Sequence, residues 1–179
     1  MLESNKAYKS FEEYLNSCGP EFRDYLIKYL EDARANFETN KHADVDKYLY
    51  KPLLDFSENI GKMHRPLTCL ASFKAFSNNK PLDIVLPVAA AIEHFQSAAL
   101  IHDDIADAGE LRRGKPCMYK EQGLGIAINA GDFGLAMVIP SVVENLEKQN
   151  VDKDKILRIV NELSRMEYMT IEGQAMDLG

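Results

Sequence analysis

Cysteine is scarce in this chain. Cys18, Cys69 and Cys117 stand far apart, odd in number and without a CxxC pair. Such spacing supplies neither a structural zinc site nor a disulfide framework, and it suits a reducing cytosol. Positive charge is short as well: 21 Lys and Arg face 28 Asp and Glu, a net charge of −7. That balance argues against general nucleic-acid binding, because phosphate backbones are met by excess Lys and Arg. No apolar run reads as a membrane span of about 20 residues; the longest strongly apolar stretch, Ile84 to Ile92, is interrupted by Pro87. The opening MLESNKAYKSFEEY has early acidic residues and no apolar centre, so it does not read as a secretory signal. Strand signals are missing too, with no hairpin dipeptide between alternating residues, no internal repeat and no low-complexity linker.

What is present has a helical period. The 179 residues, 46% hydrophobic and 27% charged, suit one domain over 1–179. Phe22, Tyr25, Leu26, Tyr29 and Leu30 recur as one face of an amphipathic helix. Gly19-Pro20 is expected to separate it from a shorter helix around Phe11 to Leu15. Lys51-Pro52 begins a short segment that Gly61 ends, and Pro66 opens a helix to about Phe76. Leu82 to about Ala106 is nearly uniformly apolar in its first half, as expected of a helix surrounded by others. A polar loop runs from Gly109 to Pro116, an apolar stretch from Gly123 to Leu146, and Asp152 is a candidate N-cap for a last helix. The fold class is all-α.

Asp103, Asp104 and Asp107 form D-D-x-x-D at the end of the apolar helix. Spacings of three and four residues are expected to turn all three toward one side, where like charges repel. The C-terminal end of a helix also disfavours anions. Three carboxylates there call for a cation, and hard oxygen ligands with room for water suit Mg²⁺ shared with substrate phosphates. Gly109 and Gly114 then bracket Glu110-Leu111-Arg112-Arg113, and Lys115-Pro116 follows. Adjacent guanidinium groups on a Gly-bounded loop beside a metal motif are what diphosphate recognition needs.

With these residues the chain resembles the trans-isoprenyl diphosphate synthases, also called polyprenyl synthetases. The resemblance rests on Asp103-Asp104-Ile105-Ala106-Asp107 and Arg112-Arg113-Gly114-Lys115-Pro116. Gly61-Lys62-Met63-His64-Arg65-Pro66, Gly131-Asp132 and Gly173-Gln174-Ala175-Met176-Asp177-Leu178 add to it in the family's order. It implies an isoprenoid-synthase helical bundle, incomplete at its C-terminal end, that condenses an allylic diphosphate with isopentenyl diphosphate. The three Asp resemble ligands for Mg²⁺ on the allylic diphosphate, and Arg112 its direct partner. Lys62, Arg65 and Arg113 resemble the clamp on isopentenyl diphosphate, and Gln96 stands where the family usually has His. Gln174 and Asp177 resemble the pair facing the metal cluster, Asp177 as a further metal ligand. The leaving pyrophosphate takes the proton in this family, so His102 reads as a local hydrogen-bonding partner. The family is commonly a homodimer.

In proteins this chain resembles, the prenyl product runs along the helix before the Asp motif. Ala98 and Ala99 would line that tunnel and Phe95 would be its next floor, giving a product of C20 or longer. Two departures stand out: Ile60 replaces a Gly and Met63 a cation in the upstream motif. Family members also run on past the equivalent of Gly179 into a second Asp-rich motif. The 179-residue chain alone is therefore expected to be impaired, and to expose an apolar face of the Leu82 and Gly123 helices. Three other readings stay open: a non-catalytic partner of a full-length synthase, a class I terpene cyclase, and a helical interaction module.

Overall fold

The structure is a computed structural model, and it describes residues 7–36, 42–59, 61–78 and 80–179. Its helices are α1 (Phe11–Asn36), α2 (Ala43–Val45), α3 (Lys51–Glu58), α4 (His64–Phe76), α5 (Leu86–Ala106), α6 (Met118–Glu121), α7 (Leu124–Ala136), α8 (Val138–Lys148) and α9 (Lys153–Asp177). A π-helical turn, Asp46–Tyr50, joins α2 to α3, and a 3₁₀ turn, Leu82–Ile84, leads into α5. The all-α expectation holds, with α5 at the centre.

Three clusters of buried side chains surround α5, and it contributes to each. Ala89 and Ala90 pack with Phe22, Leu26, Leu67 and Leu70 of α1 and α4. Ile101 packs with Leu53, Met118, Ala127 and Ala130 of α3, α6 and α7. Ala91 and Phe95 pack with Val138, Val142, Leu146, Ile156 and Leu163 of α8 and α9. A helix that buries residues all round needs small side chains, and α5 meets this with alanine. Against α7, a Cβ on Gly134 would lie 2.9 Å from that of Ala98.

Several local expectations are corrected. Gly19-Pro20 does not separate two helices, for α1 runs through with Pro20 inside it. An internal proline costs about 3 kcal/mol, which burial of Cys18, Phe22 and Leu26 on both sides offsets. Pro52 likewise stands inside a helical run. The missing N–H coincides with the π turn just before it. The Gly123–Leu146 stretch is two helices meeting at Met137, because Pro140 crowds the carbonyl of Ala136 four residues back. A strand pair also exists, β1 (Leu111–Arg112) and β2 (Lys115–Pro116), antiparallel with Arg112 opposite Lys115. Its turn residues, Arg113 and Gly114, both have positive φ, 53° and 81°, as a type I′ hairpin requires. Asp152 does cap α9, its side chain accepting from the Lys155 amide at 3.3 Å.

The apolar runs also differ from expectation. Leu124–Lys148, 25 residues, holds an 18-residue window with a mean hydropathy of 1.7, long and apolar enough by length and composition to cross a membrane. Asp132, Pro140 and Glu144 break it into shorter apolar runs in the sequence. In the fold its small residues, Ala127, Ala130, Gly131 and Gly134, are buried, the first two against Ile101 of α5 and Gly134 against Ala98. The Leu82 helix exposes no large apolar side chain among the described residues, whereas Leu124 and Ile128 of α7 are exposed. The larger apolar surface belongs to α9, through Tyr168, Met169, Ile171 and Met176. All three cysteines are free thiols.

Candidate active site

The acidic motif occupies the last turn of α5, and its residues part company there. Successive helical residues point about 100° apart, and the neighbours Asp103 and Asp104 meet different surroundings. Asp104 is 2% exposed. Its Oδ1 accepts from Arg112 Nε at 2.8 Å and also from Arg112 Nη2. The hydrogen bonds hold Arg112 still more firmly protonated. Gly109 closes the turn by donating its amide to the Asp104 carbonyl at 2.8 Å. Burial and the same carboxylate push the Cys117 thiol up. Asp103 is half-buried and Asp107 exposed. Among the described residues, no three His, Cys, Asp or Glu side chains come together as a metal-holding group. Of the three aspartates expected on one side, Asp104 is taken by Arg112, and Asp103 and Asp107 are left without that partner.

A cleft of about 260 Å³ opens beside Asp103. Phe95, Gln96, Ala99 and Asp103 of α5 line it together with Leu135 and with Thr170, Ile171 and Gln174 of α9. Five predicted residues thus meet: Phe95, Gln96, Ala99, Asp103 and Gln174. Gln174 brings a buried Nε2 with no hydrogen-bond partner. Ala98 is not among them. It is 0% exposed, pressed against Gly134, and does not border this cleft. Ala98 and Ala99 stand on different sides of α5. Asp177, three residues beyond Gln174, is exposed and outside the cleft.

The basic residues gather on the other side of α5. The Arg113 guanidinium lies 3.0 Å from where a Gly61 Cβ would stand, and its Nη1 donates to the Asn59 carbonyl. Asn59 Nδ2 in turn donates to the Arg112 carbonyl at 3.4 Å. The hairpin is thereby docked on the segment that carries Lys62 and Arg65, both exposed. Met63 is 5% exposed and packs in the core. Ile60, the other departure, lies outside the described residues.

Two features were not foreseen. Glu93 is buried on α5, its carboxyl pushed up by burial and drawn back by Arg113 and Arg65. Its signal was a lone acid within the apolar run 84–95. His102, which also lines the cleft, has Nε2 3.2 Å from Asp132 Oδ1. Gly131-Asp132 was visible as a pattern, but nothing in the sequence said that it meets His102.

The chain matches the polyprenyl synthetase family over residues 46–179. It is 32% identical to a dimethylallyltranstransferase of Fischerella ambigua, over 87% of this chain and 44% of that protein. It is 31% identical to a farnesyl diphosphate synthase of Geobacillus stearothermophilus, over 96% of this chain and 55% of that one. A crystal structure of a geranylgeranyl pyrophosphate synthase superposes with a TM-score of 0.73 at 29% identity, over 92% of this chain and 44% of that one. The chain spans about half the length of the curated relatives it matches. It belongs to the polyprenyl synthetase family.

Proposed function

We propose that this chain carries the allylic-diphosphate wall of a prenyltransferase, which joins an allylic diphosphate to isopentenyl diphosphate and yields a longer all-trans prenyl diphosphate. One observation carries the reading: Asp103 shares a single cleft with the apolar side chains of Phe95, Ala99, Leu135 and Ile171. A charged end beside a hydrocarbon lining complements a molecule with an ionic head and a prenyl tail. Relatives named as farnesyl and geranylgeranyl diphosphate synthases support the same class.

Magnesium fits the donor set as a shared ion and not as a caged one. Asp103 and Asp107, four residues apart at the open end of α5, would hold it with hard carboxylate oxygens, and Mg²⁺ completes its shell with water and phosphate. When bound, it neutralises charge on the phosphate oxygens. Arg112 gives Nε and Nη2 to Asp104, and a guanidinium has five N–H donors, so Nη1 is left for an incoming anion. Lys62 and Arg65, exposed beside Arg113, serve the second diphosphate, which favours chain elongation over cyclisation. Phe95 and Leu135, on the buried side of the cleft, give the prenyl tail an apolar wall. The tail contact passes to Ala99 and Phe95, and a long product is consistent with a small residue at 99. Pairing with a second copy suits the exposed apolar side of α9.

Calorimetry on the chain tests this reading. Dimethylallyl diphosphate should be taken up with magnesium present and not with a chelator, and Asp103→Asn with Asp107→Asn should abolish uptake. Equal uptake by that double variant would overturn the assignment.

A further inference from the structure

We propose that His102 is a positioning residue for Asp103, held in place by Asp132 across a gap that only glycine at 131 leaves open. The inference rests on the reading of Asp103 as a site carboxylate. His102 Nε2 lies 3.2 Å from Asp132 Oδ1 and 3.4 Å from the Ile128 carbonyl oxygen. Both neighbours only accept, so Nε2 carries the proton and donates to them. A Cβ on Gly131 would stand 2.4 Å from Nε2 and 2.8 Å from Cδ2 and Cε1. Any side chain at 131 would therefore push the ring off α7. Glycine inside a helix costs about 0.5–1 kcal/mol relative to alanine, and here that cost has a counterpart in the seated imidazole.

The seat matters because of where it stands. His102 and Asp103 are neighbours on α5 and both line the cleft. Just beyond, the helix ends and the chain turns back through Ala108, whose φ is 52°. The last turn of a helix has few bonds ahead of it and frays first. A ring pinned to α7 at 102 fixes the rotational phase of that turn, and with it the direction of Asp103. Asp104 is pinned from the opposite side by Arg112. The two anchors share the work, one for each neighbouring aspartate.

The test uses the whole chain and three variants: His102→Ala, Asp132→Ala and His102→Gln, the last keeping a donor near the place of Nε2. Magnesium-dependent uptake of dimethylallyl diphosphate should weaken about ten- to a hundred-fold in both alanine variants, the range found when outer-shell partners of metal ligands are removed. The glutamine variant should recover most of it, and the double alanine variant should be no worse than either single one. Unfolding midpoints measured alongside show that the chains compared are folded. Wild-type affinity in His102→Ala, or no recovery in His102→Gln, would overturn the proposal. Should the unmodified chain take up no diphosphate, the proposed function fails on that result alone. Hydrogen exchange then decides the positioning role. Amides 103–109 should exchange faster in both alanine variants and recover in His102→Gln, and unchanged exchange overturns it.

Discussion

The two sides of α5 use the same kinds of residue for opposite ends. Toward the hairpin, charge is turned inward: Asp104 is 2% exposed and taken by Arg112, and Glu93 is 3% exposed near Arg113 and Arg65. Toward α9, charge is left available: Asp103 and Gln174 border a cleft whose remaining walls are mostly apolar. A buried carboxylate is costly unless a cation pairs with it or it takes up a proton. A carboxylate at a cleft keeps water and can exchange it for a ligand. Adjacency in sequence says nothing about which fate a residue meets.

Breaking the closed side should have the largest effect. Arg112→Ala leaves Asp104 buried without its partner and should cost about 3–5 kcal/mol in urea unfolding. Asp103→Ala should stay within about 0.5 kcal/mol of wild type while losing magnesium-dependent diphosphate uptake. Similar stabilities for the two variants would erase the distinction. Ala98→Phe should come next, losing about 1–3 kcal/mol or more by overpacking the Gly134 contact. Ala99→Phe should change thermal stability little and should shorten the tail that the cleft accepts.

Acid sharpens the same contrast. His94 is buried on the closed side, stacked on Tyr29 with ring centroids 5.3 Å apart, and burial pushes its pKa from 6.5 down to about 3. Its contribution is full above 6.5 and is lost as pH falls, because the unfolded chain gains a proton that the folded one refuses. Between pH 7 and 5.5 that amounts to about 1 kcal/mol, which His94→Phe should remove from the stability–pH profile. The smallest effect belongs to the outer wall of the open side. Asp152→Ala should cost about 0.5–1 kcal/mol and speed hydrogen exchange in the first turn of α9.

Much of this architecture was legible before the structure. Alanine in the run 89–91 announced a helix enclosed by others, and Asp152 announced a cap. Local signals misled where tertiary packing outweighed them. Pro20 broke no helix because Phe22 and Leu26 are fully buried beyond it. The Arg113-Gly114 turn is hard to read from sequence because Arg is an unusual partner for glycine at a type I′ hairpin, and the residues it docks on, Asn59 and Gly61, lie some fifty residues away. Glu93 and His102 were visible as letters, but their partners come from other elements.

What the sequence alone determined is the helical class, the central place of α5, and the chemistry on offer: carboxylates, guanidinium groups and amides in the order of one enzyme family. Helical periodicity and residue type are local properties, and they survive any rearrangement of distant parts. Tertiary structure decided the division of labour. It sent Asp104 inward and Asp103 outward, put Ala98 in a helix seam and Ala99 on a cleft, and joined His102 to Asp132 across Gly131. Those outcomes depend on the angle at which one helix meets its neighbours, and that angle is set by the packing of all of them together.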